Sequence, residues 1–426
     1  MAKRPRIAVI GLGYVGLPLA VALSRHFPVV GFDANASRSD ELRRGHDRTR
    51  EVGDDALRAT ALEIAATPDA MRGSDVFILT VPTPVDARNL PDLAAVRAAC
   101  RTVGSVVDKG AIVVLESTVY PGVTEEICGP EIAAASGLVS GKDFHLGYSP
   151  ERINPGDRRH TVEHIVKVVA GETPAVADRL ATIYGAVNGG KVFVAKSIKT
   201  AEAAKVIENA QRDINIAFVN EVAMIFGKLG LSIHDVLAAS STKWNFVPFT
   251  PGFVGGHCIG VDPFYLAHLS QNLGPHPEVI LAGRRINDGM GGYVANAISK
   301  AICGRRGSGR RVLVLGLTFK ENVPDLRNSK VVDLVNGLRA NGYVVDVHDP
   351  HADPLEAKSL YGFDLVTSFA QLAPHDCLIG AVAHDEYRSF TAEDFRRLVQ
   401  PDGVVADVKG IWRQVELPSG MIRWEL

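Results

Sequence analysis

Residues 6–21 read RIAVIGLGYVGLPLAV, and no other stretch constrains the fold as much. The apolar run at 6–10 reads as a short buried strand, and LPLAVALSRH after it has helical spacing. Between them Gly11, Gly13 and Gly16 form a GxGxxG turn. PVVGFD then supplies a second apolar strand that ends at Asp33. Strand, glycine turn, helix, strand is a βαβ unit with the logic of a dinucleotide site. The first glycine permits the tight turn, the second lets backbone approach a pyrophosphate, and the third lets helix pack on strand. Unpaired N–H groups at the helix start face the phosphates, and Tyr14 and Val15 belong to the same contact surface. Asp33 stands where a carboxylate bonds both ribose hydroxyls and repels a 2′-phosphate, which favours NAD. Arg38, close by and counted with the cofactor contacts, pulls the other way.

Further apolar strands at 76–81 and 111–116, with helical stretches between, imply a parallel sheet covered on both faces. Ligands bind at strand C-termini in such sheets. There TVPTPVD (80–86) offers Pro82 and Thr83, and ESTVYPG (116–122) offers Ser117 and Thr118.

From about residue 198 the pattern changes. SIKTAEAAKVIENAQRDINIAFVNEVAMIFGKLG contains no proline and no glycine before Gly227. A helix this long and apolar on more than one side is a spine between domains or a dimer contact. At 310 the first pattern restarts with RRVLVLGLTFK, a helical SKVVDLVNGLRANG and the strand YVVDVHDP, but without GxGxxG. This reads as a second nucleotide-type domain with different phosphate chemistry. The basic, glycine-rich GRRGSGRR at 304–311 marks the boundary. The expected architecture is α/β: two doubly wound Rossmann-like domains joined by a long central helix and a helical dimerisation domain. The divisions fall at 1–197, 198–303 and 304–426.

A chain of 426 residues with formal net charge −2 gives no electrostatic reason to expect nucleic acid or a membrane surface as partner. Its basic, apolar start resembles a signal peptide superficially, but the glycine turn accounts for it better. No run approaches the roughly 18 apolar residues of a spanning helix. The cysteines are odd in number, and no CxxC pair or His/Cys cluster has metal spacing. Neither a disulfide framework nor a metal site is expected, and the compartment reads as cytoplasmic and reducing.

Cys100, Cys128, Cys303 and Cys377 read as inert buried thiols. Cys258 differs, because GFVGGHCIGVDPF (252–264) surrounds it with glycines that a core cysteine does not need and a substrate loop does. A thiol beside NAD suggests covalent oxidation through a thiohemiacetal and a thioester. His257 reads as structural, since neighbours in an extended segment face opposite ways, whereas Asp262 is placed to activate or hold a water. On the long helix Lys205 and Asn209, spaced i, i+4, share a face and together suit an oxyanion; Lys205 with a lowered pKa also suits a base.

With these residues assembled, the chain resembles the UDP-glucose/GDP-mannose dehydrogenase family nearly end to end. The resemblance rests on GLGYVGLPLA, TVPTP, SPER, QRDINIAF, GGHCIGVDPFYL and GLTFKENVPDLRNSKV. It implies an NAD-dependent, four-electron oxidation of a sugar-nucleotide C6 alcohol to a carboxylate, with an N-terminal NAD domain, a central helical dimer domain and a C-terminal domain gripping the UDP part. It implies that Cys258 is the nucleophile, Lys205 and Asn209 its partners, Asp262 the carboxylate after it, Thr118 a water-holding threonine and Glu151 of SPER a residue of thioester hydrolysis. Lys320 matches a sugar-nucleotide contact and Arg327 a cofactor-side residue. Substrate contacts are implied for Glu151, Arg152, Ile153, Asn154, Lys205, Asn209, Phe253, Gly255, Phe319 and Lys320. Lys243 and Lys409 stand near two family arginines, the first from the neighbouring subunit, and supply charge without a bidentate fork.

UDP-glucose enzymes usually read SPEFLREG and GGYCLPKD, whereas this chain has SPERINPG and GGHCIGVD, with Pro155 and Val261 replacing a glutamate and a lysine. The text is most similar to the subgroup that oxidises UDP-N-acetylhexosamines for capsule and Vi-type polysaccharide. There Arg152 is expected to reach the acetamido group or a phosphate. UDP-glucose and UDP-ManNAc enzymes are the near alternatives. A two-electron NAD enzyme (a hydroxyacid dehydrogenase or sugar epimerase) and a non-catalytic NAD-sensing scaffold are the distant ones.

Overall fold

The computed structural model describes residues 4–153, 159, 161–303 and 310–426. Asn154, Pro155 and most of the basic boundary segment lie outside them. The chain forms two compact units, Met1–Glu208 with Phe264–Pro275 and Asn209–Pro263 with His276–Leu426.

The first unit holds an eight-stranded sheet. Its strands are β1 (Ile7–Ile10), β2 (Val29–Phe32), β3 (Glu63–Ile64), β4 (Val76–Leu79), β5 (Ile112–Leu115), β6 (His145–Tyr148), β7 (Lys167–Gly171) and β8 (Val192–Val194). The order is β3-β2-β1-β4-β5-β6-β7-β8. All neighbours are parallel except β6 and β7. Every residue of β1, β2, β4 and β5 is buried, because helices cover both faces and alternation is not needed. The order reverses at β1, which pairs with β2 on one side and β4 on the other. The strand ends there form the crevice that open α/β sheets use for ligands.

In the second unit the strands are β9 (Arg311–Leu315), β10 (Val344–His348), β11 (His375–Gly380), β12 (Val399–Asp407) and β13 (Ile422–Glu425). They are all parallel, in the order β10-β9-β11-β12-β13. On one face the Glu278–Cys303 helix packs Met290, Val294 and Ile298 into a core shared with Leu334 and Leu338 of the Val331–Ala340 helix. On the other, Trp412 is buried among Phe390, Phe395 and Tyr387.

The helix expected from residue 198 runs over Ile198–Lys228. Within the second unit its buried polar residues are matched to partners. Arg284 and Asn287 donate to the Asp213 carboxylate, both at 2.7 Å, and Asn220 exchanges bonds with Gly252 and donates to Asn287. Asn220 thereby anchors the start of the Cys258 segment. Cys100, Cys128 and Cys377 are buried as expected, but Cys303 is exposed. It is the last residue of its helix, and its thiol lies 3.7 Å from the Tyr343 hydroxyl.

Candidate active site

In the first unit the glycine turn has the shape its sequence demands. Gly11 adopts φ +94°, and a Cβ on Gly16 would lie 1.8 Å from the Gly11 carbonyl oxygen and 2.3 Å from Thr80 Oγ1. The third glycine is therefore what lets the Gly16–Ser24 helix meet β1 and β4. A Cβ on Gly13 would meet nothing within 4 Å, so the space beside it is open, as a bound pyrophosphate requires. Val15 makes no side-chain cap, and of the first-turn N–H groups Leu17 N donates back to Gly13 O at 3.2 Å. Tyr14 and Val15 are partly exposed in the turn. Asp33, at the end of β2, accepts from Leu12 N and Asn35 N, both at 2.8 Å.

Arg38 is not an open cation. It is buried, and its guanidinium donates to Leu12 O (2.9 Å), Glu41 (2.7 Å) and Asp47 (2.7 Å). Burial tends to raise the Asp47 carboxyl, but bonds from Thr49, Val52 and Arg38 outweigh it and hold the group below its usual range. The competing pull that the sequence suggested toward a 2′-phosphate is thus absorbed internally.

The two loops after β4 and β5 are pinned as well. Ser117 Oγ donates to Val81 O at 2.6 Å, and Tyr148 donates to Ser117 O at 3.2 Å. Tyr265 donates to Pro84 O at 3.2 Å, fixing the loop of Pro82 and Thr83. Glu202, fully buried on the long helix, accepts from Gly122 N, Thr124 N and Thr124 Oγ1. It holds the loop of Thr118, itself partly exposed, against the helix turn that precedes Lys205.

Glu151 is buried. Its Oε1 accepts from Arg152 N and Ile153 N, both at 2.6 Å, and its Oε2 from Lys167 at 3.1 Å. Burial would raise its carboxyl; Lys167 and the backbone N–H groups outweigh that and hold it low. Arg152 is exposed, but its guanidinium already binds Glu208 and Val166 O. Its visible work is to tie this loop to the long helix. Lys205 is buried, and among the described residues nothing accepts a hydrogen bond from its ammonium.

In the second unit, Asn209 donates its side-chain amide to Asp262 Oδ2, and Asp262 N donates to Cys258 O at 2.8 Å. Asp262, nearly fully buried, opens the Asp262–Leu273 helix. The structure thus brings Asn209, Cys258 and Asp262 together. Cys258 is the one partly exposed cysteine among three buried and one exposed.

Two expectations about this segment need correction. Residues 256–261 are turns, not extended chain, so the alternation argument for His257 does not apply. Its Nδ1 lies 3.2 Å from Arg327 and 3.6 Å from Asp325. The glycines also serve a different neighbour. A Cβ on Gly255 would lie 2.5 Å from Asn328 O, and one on Gly256, at φ +79°, 2.7 Å from the Phe319 ring. They make room for the 317–330 segment.

Phe319 meets His257 edge-on at 6.0 Å, and Phe253 packs on the β9–β13 core. Arg327 pairs with Asp325 at 2.6 Å as well as facing His257. Lys320 is partly exposed in the loop after β9, where Thr318 Oγ1 caps its carbonyl at 3.0 Å. The Lys409 ammonium lies 2.8 Å from where a Gly252 Cβ would stand. Burial lowers its pKa against the opposing pull of Glu321. Lys243 is exposed, next to the almost fully exposed Trp244. Sequence reading missed Asn220, Glu202 and Lys167. Only the odd presence of polar residues on apolar faces could have signalled them.

A glycine turn ending in an aspartate at the switch point of a parallel sheet defines the class, an NAD-dependent oxidoreductase, and the second unit gathers a thiol, a carboxylate and an amide. Comparison with known proteins makes the class specific. Residues 5–188 match the NAD binding domain of the UDP-glucose/GDP-mannose dehydrogenase family, 199–289 its central domain and 313–414 its UDP binding domain. The chain belongs to that family. It is 51% identical to protein CapL of Staphylococcus aureus over 99% of each chain. It is also 51% identical to a UDP-N-acetyl-D-glucosamine 6-dehydrogenase of Pseudomonas aeruginosa, over 96% of this chain and 97% of that one. A solved UDP-D-ManNAc dehydrogenase from Pyrococcus horikoshii superposes with a TM-score of 0.88 at 30% identity, covering 99% and 98%. No described helix is long and apolar enough to cross a membrane.

Proposed function

We propose that this enzyme oxidises the C6 hydroxyl of a UDP-N-acetylhexosamine, UDP-N-acetyl-D-glucosamine or its galacto epimer, to the uronic acid for surface polysaccharide synthesis. The carrying observation is the join of Asn209 to Asp262 beside the half-exposed Cys258, in a chain half identical to enzymes named for that sugar. NAD, when bound at the Gly11–Asp33 turn, supplies the hydride acceptor for both oxidations. Lys205, through water with Asp262, takes the hydroxyl proton in the first. The Cys258 thiolate adds to the aldehyde carbon, and Lys205 and Asn209 donate to the oxyanion. After the second oxidation a water attacks the thioester, its proton passes to Glu151, and the C–S bond breaks to regenerate the thiolate. Thr118 holds that water.

In this reading Lys320, Phe319 and Lys409 grip the UDP part, Ile153 and Phe253 line the sugar, and Arg152 acts indirectly by fixing its loop. The three-part division at 197 and 303 separates cofactor, dimer and UDP-sugar functions. The exposed stripe of Phe218, Ile225 and Leu229 on and after the long helix supports a homodimer, with Lys243 reaching the partner's site. Five free cysteines suit a cytoplasmic enzyme. The test is to offer UDP-glucose, UDP-GlcNAc, UDP-GalNAc and UDP-ManNAc with NAD⁺ and count NADH at completion. Two NADH per UDP-GlcNAc or UDP-GalNAc, with the other two sugars poor, is the expected result; preference for UDP-ManNAc or UDP-glucose would replace it.

A further inference from the structure

Behind Glu151 lies a polar cluster to which the reaction above gives no task. Lys167, at the start of β7, is 1% exposed and donates to Glu116 at 2.8 Å and to Glu151 at 3.1 Å. Glu116, also 1% exposed, directly follows β5 and opens the Ser117–Thr118 loop. Its other oxygen accepts from the buried hydroxyl of Tyr184, on the Pro174–Asn188 helix. Ser149, below Glu151, is also buried and donates to Val168 O at 2.8 Å. One buried ammonium thus joins the strand end that leads to Thr118 with the loop that carries Glu151.

Two carboxylates share one lysine here. Buried ion pairs are poor contributors to stability compared with apolar packing of the same volume, so a structural role alone explains this cluster badly. Its charges converge on Glu151 from two strands: Lys167 from β7, and Glu116 from just past β5. Tyr184 approaches from the helix. On the Glu151 loop itself, the Arg152 guanidinium is turned toward Glu208.

We propose that Lys167 is a positioning residue for thioester hydrolysis, holding Glu151 in place and ionised so that it can orient the attacking water and take its proton. This rests on the reading that Glu151 serves in hydrolysis. Glu116 opposes Lys167, competing for the ammonium and repelling the second carboxylate. The directions agree: burial raises Glu116, where Lys167 only partly offsets it, whereas Lys167 and two backbone donors bring Glu151 below its usual range.

The experiment is acid-quenched single turnover with UDP-N-acetyl-D-glucosamine and NAD⁺, following the protein-bound thioester by mass spectrometry against pH. Lys167→Met should move the acid limb of thioester decay up by about one pH unit or more, the scale of losing an adjacent opposite charge. Lys167→Arg should restore it, and Glu116→Gln should move it the other way. If Lys167→Met does not fold, Glu116→Gln/Lys167→Met removes one charge of each sign and should still shift the limb upward. A uniform loss of rate with the limb unmoved overturns the proposal. Glu151→Gln separates the two levels. If it clears the thioester at the wild-type rate, the role of Glu151 itself fails; if it stalls while the Lys167 variants leave the limb in place, only the role of Lys167 fails.

Discussion

Asp349 repeats in the second sheet the bond that Asp33 makes in the first: its Oδ2 accepts from Leu317 N at 2.6 Å, as Asp33 Oδ2 accepts from Leu12 N at 2.8 Å. Gly316 and Gly11, at φ 95° and 94°, precede those leucines. Each glycine N–H donates at 2.8 Å to the carbonyl just before its aspartate, His348 O and Phe32 O. What differs is the cover. Asp33 is partly exposed, whereas Asp349 is buried and also accepts from Thr318 N, His351 N, Ala352 N and His384 Nε2. His384 Nδ1 accepts from Asn322 N at 2.9 Å, so its proton lies on Nε2 and points at Asp349. The same turn leaves its aspartate partly open in one unit and is a closed lock in the other.

Asp349→Asn should therefore cost stability and leave the Asp33 site alone. Burial pushes the Asp349 carboxyl up, but His384 and the two backbone donors pull it well below its ordinary value. A folded-state pKa below the unfolded one, about 3.9, gives stability that is present above that value and lost as pH falls through the folded one. Denaturant titration should show a loss of about 3 kcal/mol at pH 7, the scale of breaking a buried pair. Below about pH 5 the variant should lose less further stability than the wild type as the solution is acidified.

Coenzyme choice should depend on more than Asp33. Arg38 is kept from a 2′-phosphate by Glu41 and Asp47. Asp33→Ser alone should weaken NAD without creating use of NADP. Adding Glu41→Gln and Asp47→Asn should raise kcat/KM for NADP by about tenfold or more over Asp33→Ser, the scale of one freed charge-assisted bond. Steady-state kinetics with both coenzymes decides it; an unchanged NADP rate in the triple variant sinks the argument.

The first sheet was legible because its signals are local. Strand, glycine spacing and the terminal aspartate all lie within residues 7–33, and the structure forms β1, the Gly16–Ser24 helix and β2 there. The long helix was legible from the absence of breakers. What a linear pattern does not carry is which distant residue a glycine must admit. Gly255 and Gly256 suggested space for a substrate, yet Asn328 and Phe319 fill it. Nor does it carry the occupancy of a charged group: Arg152 and Arg38 look available in sequence, and both are engaged by carboxylates in the fold. The Asp349 lock was hidden for the same reason, since the second turn lacks the glycine spacing and its cover comes from β11's far end.

At the thiol, Cys258→Ser should either stop at the aldehyde, giving one NADH per sugar, or stall as a slowly hydrolysed ester, giving a single burst of two NADH per active site without further turnover, because an alcohol is a far weaker nucleophile at neutral pH than a thiol. Asn209→Leu removes the donor to Asp262. It should lower kcat by about two orders of magnitude, the range for losing one oxyanion donor. KM for UDP-N-acetyl-D-glucosamine should change much less. A fall in kcat/KM carried by KM alone would instead make Asn209 a binding residue.

The dimer can be tested separately from its catalytic consequence. Phe218, Ile225 and Leu229 are 63%, 52% and 68% exposed and recur at spacings of seven and four, on one side of the helix and its extension. Covering such side chains is worth about 1.5–3 kcal/mol each, so Phe218→Glu/Ile225→Glu should give monomers by sedimentation velocity. If Lys243 serves the neighbouring subunit, Cys258→Ala and Lys243→Ala homodimers should each be nearly inactive, while mixing and exchanging them should restore activity. The mixed dimer keeps one site whose cysteine and whose borrowed lysine are both intact. Failure of the mixture, with subunit exchange demonstrated by mass spectrometry, would place Lys243 in service of its own chain.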